Sequence, residues 1–144
     1  MTFYPAAAAM SSAYADPVRD SALVRTAMAN LGVPPEEVDE RLGGDYEGQP
    51  CTARVTTLSA FLREVGVPRI DLLKVDVERA ELDVLEGIDA EDWSRIGQVA
   101  IEVHGTERAA AVERLLARQG FRVIGEQDEA MKGTSVSMLY AVRA

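Results

Sequence analysis

Residues 70–88 read IDLLKVDVERAELDVLEGI. An apolar run over residues 70–75, with Lys74 inside it, stops at Asp76, and Glu78 and Glu81 follow closely. Ala80, Leu82 and Leu85 then recur at helical spacing. Strand, acidic turn and helix in this order make one half of a βαβ unit. An open parallel sheet binds its ligands outside the carboxyl ends of its strands, where these acids fall.

The pattern continues downstream. QVAIEVH, residues 98–104, reads as a buried strand. TERAAAVERLLARQG, residues 106–120, reads as a helix capped by Thr106 and stopped by Gly120, with Ala110, Val112, Leu115 and Leu116 on its apolar side. FRVIGE and SVSMLYAVR supply two more strands, and the short loop between them lets the last run antiparallel. Upstream, CTARVTT (51–57) alternates like a strand and TLSAFLREVG (57–66) reads as a short helix with a glycine stop. The expectation for residues 51–144 is an α/β fold: a mostly parallel sheet with a final antiparallel strand and helices on both faces. Trp93 and the Leu/Val stripes are its core.

Residues 1–50 lack that alternation. A short strand before Pro5, a helix over 21–30 capped by Asp16 or Asp20, and a second helix in PPEEVDERL closed by Gly43 and Gly44 read as a lid or insertion. Tyr4, Ser11 and Ser12 fall in an open stretch where a substrate could lie.

Composition narrows the function. The 144 residues carry 24 acids against 15 bases, a net charge of −9, which disfavours nucleic acid as a partner. No apolar run approaches the roughly 20 residues of a membrane span. The N-terminus lacks the basic and apolar regions of a signal peptide. Cys51 is the sole cysteine, which points to a reducing, cytoplasmic setting and to a packing role for that residue.

At the mouth of the sheet, Asp76 ends one strand, and Glu102 and His104 end the next on a shared side. His104 is a candidate general base oriented by Asp76 or Glu102. The same three residues are a donor set for a hard divalent cation. The plainer readings are a helix cap for Asp76, caps and solvated surface for Glu78 and Glu81, and loop hydrogen bonding for His104. Lys74, in a strand, needs an acid or a ligand as partner.

The stretch over residues 70–88, followed by Trp93 and then VAIEVH (99–104), resembles the C-terminal half of the FkbM-type methyltransferases. The family form is close to LLKIDVEGAE-x-x-VL-x-G, and Leu72, Leu73, Lys74, Val75, Asp76, Val77, Glu78, Ala80, Glu81, Val84, Leu85 and Gly87 stand in register with it. TFYP with MSS, and VTTLSAFLREVGV (55–67), resemble the segments upstream. The resemblance implies a Rossmann-like class I fold, S-adenosylmethionine as methyl donor, and in-line transfer to an acceptor oxygen. It also implies Asp76, Glu102 and His104 as catalytic candidates, with Tyr4, Ser11, Ser12, Glu78 and Arg79 around the acceptor.

Two departures matter. Arg79 replaces the glycine of the common form, and the DVERAELDVL variant is similar to methyltransferases of polyketide and nonribosomal peptide assembly lines. A hydroxyl on a small-molecule or carrier-bound intermediate is then the expected acceptor, with Arg79 pairing Glu78 or Asp83 or meeting a substrate phosphate or carboxylate. The second departure is the missing glycine-rich turn that would cradle the cofactor, so no residue of this chain is assigned to it. The expectation is a C-terminal half: a fragment, one piece of a split enzyme, or an inactive remnant serving as a binding or regulatory module. Its strand over residues 70–75 would present an edge to a partner chain or to a second copy.

Overall fold

The structure is a computed structural model and describes residues 1–5, 7–42 and 47–143. In chain order the elements are β1 (Thr2–Phe3), α1 (Pro17–Asn30), α2 (Pro35–Leu42), β2 (Gln49–Pro50), α3 (Leu58–Val65), β3 (Leu73–Val75), α4 (Glu81–Glu86), β4 (Gln98–His104), α5 (Thr106–Arg118), β5 (Phe121–Glu126) and β6 (Val136–Arg143).

Four strands form a mixed sheet in the order β3-β4-β6-β5. β3 lies parallel to β4, and β6 runs antiparallel to both β4 and β5. Three strands therefore point one way and the last returns between two of them. The expected α/β architecture with a reversed final strand is present, but the sheet is mixed rather than mostly parallel: among the described pairings only β3–β4 is parallel, because β6 inserts between β4 and β5. β1 and β2 make a separate antiparallel pair.

Register explains where the core sits. Val75, Ile101 and Leu139 stand abreast and are 3%, 0% and 1% exposed. The adjacent row, Lys74, Ala100, Tyr140 and Ile124, looks the other way, with Tyr140 43% and Ile124 59% exposed. The buried rows join Leu85 of α4, Val112 and Leu116 of α5, and Trp93, which meets Phe121 edge-on with ring centroids 6.1 Å apart. The expectation of helices on both faces is corrected: among the described residues only one face is well covered. The run over residues 70–75 is correspondingly not buried on both sides. Ile70 makes a lone bridge to Ile96, Leu72 is 58% exposed, and pairing begins at Leu73.

Other expectations shift as well. Residues 51–57 alternate like a strand yet form none, and all are exposed: Cys51 exchanges backbone bonds with Met1, but among the described residues no strand takes up the backbone beyond it. Cys51 is exposed rather than packed. The first long helix begins at Pro17, earlier than expected, because Asp16 accepts from the Val18 and Arg19 amides (both 3.2 Å) and proline suits the first turn. Gly66, in the left-handed conformation (φ 68°), ends α3 as expected. The last long helix is preceded by Gly105 (φ 115°), with Thr106 inside its first turn rather than capping it. Gly43 and Gly44 lie outside the described residues.

Candidate active site

β3 and β4 end side by side, and the chain after β3 turns sharply before α4. That turn carries two successive non-glycine residues in the left-handed region, Glu78 (φ 46°) and Arg79 (φ 76°). Such a conformation is uncommon outside glycine, and it explains why a glycine is at home where Arg79 stands. The reversal swings the Glu78 carboxylate back over the end of β4 and leaves Asp76 outside.

His104, 6% exposed, is the focus of the site. Its Nδ1 lies 2.8 Å from Glu81 Oε1, and its Nε2 lies 3.1 Å from Glu78 Oε2 and 3.7 Å from Glu102 Oε1. Glu81 is fully buried, and its Oε1 also accepts from the Arg79 amide at 2.9 Å. Arg108 of α5 donates to the His104 carbonyl and brings its Nε within 3.6 Å of Glu81 Oε2.

The electrostatics follow from these contacts. Burial alone would lower the affinity of His104 for its proton, but Glu78 and Glu81 outweigh it and raise the pKa from 6.5 to about 9. The ring is thus an imidazolium at neutral pH. For Glu81 burial pulls upward, yet the bonds from His104 and the Arg79 amide hold its carboxyl below the usual range. Glu102 is pushed up by burial and then by Asp76.

The expected catalytic residues are thus only partly brought together. Glu102 and His104 meet, as strand alternation implied. Asp76 instead pairs with Lys74 at 2.9 Å, both side chains about half exposed, which also gives Lys74 its partner. Glu78 takes the place expected of Asp76, and Glu81, read as a cap or solvated surface, is the residue that orients the ring. The donor atoms that converge, all within 4.8 Å of one another, belong to Glu78, Glu102 and His104 rather than to the trio with Asp76. A nitrogen with two carboxylates suits a first-row divalent ion. Such an ion would have to displace the proton that the carboxylates hold on the ring.

The residues expected around the acceptor have other partners. Tyr4 is 0% and Ser12 3% exposed, so neither lies in an open segment. Ser11 accepts from the Tyr4 amide at 3.0 Å, and Ser12 donates to the carbonyl of Glu78. Arg79 pairs neither Glu78 nor Asp83 but the buried Asp20, and it also donates to the Tyr14 carbonyl at 2.8 Å. Asp20 in turn accepts from the Tyr4 hydroxyl at 3.2 Å. Nothing in the sequence marked Asp20 for this role beyond its place one helical turn after Asp16.

Beside His104 opens a cleft of about 800 Å³. Arg19 and Thr26 of α1, Arg79, Thr106 and Arg108 of α5, and Ser135 are among its lining. Its walls are mixed: Leu23, Leu82, Ala111 and Val136 stand beside the three arginines and Glu107, and the space adjoins the buried imidazole and its carboxylates. No helix among the described residues is long and apolar enough to cross a membrane.

Comparison with known proteins gives a consistent family. The family model described as the methyltransferase FkbM domain matches residues 3–123. The 31-O-demethyl-FK506 methyltransferase FkbM of Streptomyces tacrolimicus is 40% identical over 145 residues, covering 99% of this chain and 56% of that protein. The AMB antimetabolite synthetase AmbE of Pseudomonas aeruginosa is 35% identical over 99% of this chain and 7% of its own length. Methyltransferase sdnD of Sordaria araneosa is 38% identical over 65% of this chain and 39% of its own. The chain thus spans about half the length of the first of these relatives, 56%, and a small part of the second. No solved structure matches it at a significant level.

Proposed function

The chain belongs to the FkbM methyltransferase family, and on that premise we propose that it forms the acceptor side of an S-adenosylmethionine-dependent O-methyltransferase with a class I fold. The observation that carries the reading is His104, buried at the end of β4, bracketed by Glu78 and Glu81 and lining the cleft. The Streptomyces relative is by name a methyltransferase of 31-O-demethyl-FK506, which favours a hydroxyl of a natural product as acceptor. The alignment within a far longer synthetase favours an intermediate on an assembly line.

S-adenosylmethionine would supply the methyl group. A glycine-lined turn between a strand and a helix would be needed to admit its methionine end. The described strand-to-helix turn after β4 holds a single glycine, Gly105 (φ 115°), with the Arg108 guanidinium beside it, rather than a glycine-rich run. We therefore assign no residue of this chain to the cofactor. The task of this chain is the acceptor's proton. At neutral pH the ring holds both protons, so it serves as a base only after Nε2 gives up the proton it shares with Glu78. Nδ1–H then stays on Glu81, Nε2 accepts from a hydroxyl in the cleft, and transfer gains as pH rises toward about 9. Glu102 steadies the resulting imidazolium, and Arg19 and Arg108, which line the cleft, flank an anionic or carrier-bound acceptor.

A second reading rests on the free edge of β3: among the described residues no strand pairs it on the side away from β4. There the chain acts as a subunit or binding module that receives a strand from a partner.

Two measurements test the first reading. Calorimetry of this chain with S-adenosylmethionine should show no saturable micromolar binding; such binding would place the cofactor site here and overturn the division of labour. In a protein carrying this chain within an active enzyme, transfer of labelled methyl groups should fall by about 10²–10⁴-fold on His104→Ala, with cofactor affinity little changed. Undiminished turnover would remove His104 from the chemistry.

A further inference from the structure

We infer that Arg79 and Asp20 are positioning residues, through which the N-terminal segment holds the left-handed turn that aims Glu78 at His104. The inference rests on the reading of His104 as the working group of the site, and it adds the device that keeps that group in place.

The turn is not self-supporting. Two consecutive L-residues with positive φ persist only where their surroundings over-determine them. Here the surroundings come from the first twenty residues of the chain. Ser12 donates its hydroxyl proton to the carbonyl of Glu78, the first strained residue. Arg79, the second, sends one guanidinium nitrogen to the carbonyl of Tyr14 and the other to the carboxylate of Asp20. Asp20 is 1% exposed and is itself fixed by the Tyr4 hydroxyl and, at 3.0 Å, by the Asp16 amide. Arg79 has a side chain only 12% exposed, so this is a buried, directional pair rather than a surface contact.

The same two residues reach the ring from the other side. The Arg79 amide binds the Glu81 oxygen that meets His104 Nδ1, and the Glu78 carboxylate meets Nε2. Each nitrogen of the imidazole is thus set by a group whose place depends on the turn. If the Asp20–Arg79 pair is broken, the turn can relax into right-handed or extended backbone. Glu78 then swings toward solvent, and the ring keeps Glu81 and the more distant Glu102. Arginine can occupy a position suited to glycine because Asp20 supplies the anchor that glycine would not need.

The chain has a single histidine, so its ring signals in NMR are unambiguous. The charged groups around the ring are Glu78 and Glu81 from the turn and α4, Glu102 from its own strand and Arg108 from α5, with Arg19 of α1, Arg79 of the turn and Glu107 of α5 lining the same cleft. In the unaltered chain the ring protons should show nuclear Overhauser contacts to the side chains of both Glu78 and Glu81. In Asp20→Asn and in Arg79→Ala the contacts to Glu78 should be lost while those to Glu81 persist. Arg79→Lys, which keeps the charge beside Asp20, should recover part of them. Should either variant fail to fold, Ser12→Ala, which removes one hydroxyl from the turn, should weaken the Glu78 contacts in the same direction. Unchanged Glu78 contacts in folded Asp20→Asn, or in Ser12→Ala if the others do not fold, overturn the inference. None of these readings needs a methyl donor or acceptor. They can therefore succeed while methyl transfer fails, or fail while it succeeds.

Discussion

His104 makes the stability of the chain depend on pH in a defined direction. Its pKa is raised in the folded state to about 9 from an ordinary 6.5. A raised pKa adds stability that is complete below the unfolded value and disappears as pH climbs through the folded one. The full effect is on the order of 3 kcal/mol. The melting temperature should therefore drop by roughly 5–10 °C between pH 6 and 9.5. That slope should be absent in His104→Gln, and a flat profile in the unaltered chain would show that the carboxylates do not hold the proton. At this scale the sequence was half legible. Glu102 and His104 share a side because strand alternation is rigid, and that rule needs no tertiary information. The exchange of Asp76 for Glu78 was hidden in two left-handed residues. Neither glutamate nor arginine advertises that conformation as glycine or asparagine does. Glu81 was obscured for another reason: an acid in the first turn of a helix has a sufficient local explanation and gives no hint of a histidine 23 positions on.

Among the elements, helices with a firm period and a glycine stop were read nearly to the residue, as α5 shows. Strands were read less well. Residues 51–57 have the alternation of a strand and lack only a neighbour, and a neighbour is a property of the fold rather than of the segment. β3 has the converse character: among the described residues it has a neighbour on one side only, and it is short, with Lys74 facing out. A short edge bearing a lysine is a familiar guard against unwanted pairing, yet its backbone groups remain available to a strand that fits. Hydrogen exchange should find the β4 amides protected at every concentration. Protection along Leu73–Val75 should rise as the chain is concentrated or as a partner strand is added. Full protection of β3 in a dilute monomer, unaltered on concentration, would rule out edge pairing.

For the molecule as a whole, the class of fold was legible because strands and helices alternate over residues 70–143 in an order that few architectures accept. The uneven dressing of the sheet was not, since Tyr140, Ile124 and Ala100 are apolar enough to suit a covered face. Their row lies opposite the core and belongs to a surface bearing a net charge of −9. These two properties act against each other. Apolar faces attract when they meet, while like-charged molecules repel before they touch. Dissolved electrolyte weakens only the repulsion: its reach is about 10 Å in 0.1 M salt and about 3 Å at 1 M. Sodium chloride should therefore act as a dial on self-association. Light scattering should report smaller species in dilute buffer and larger ones in strong brine, with Ile124→Lys blunting the response.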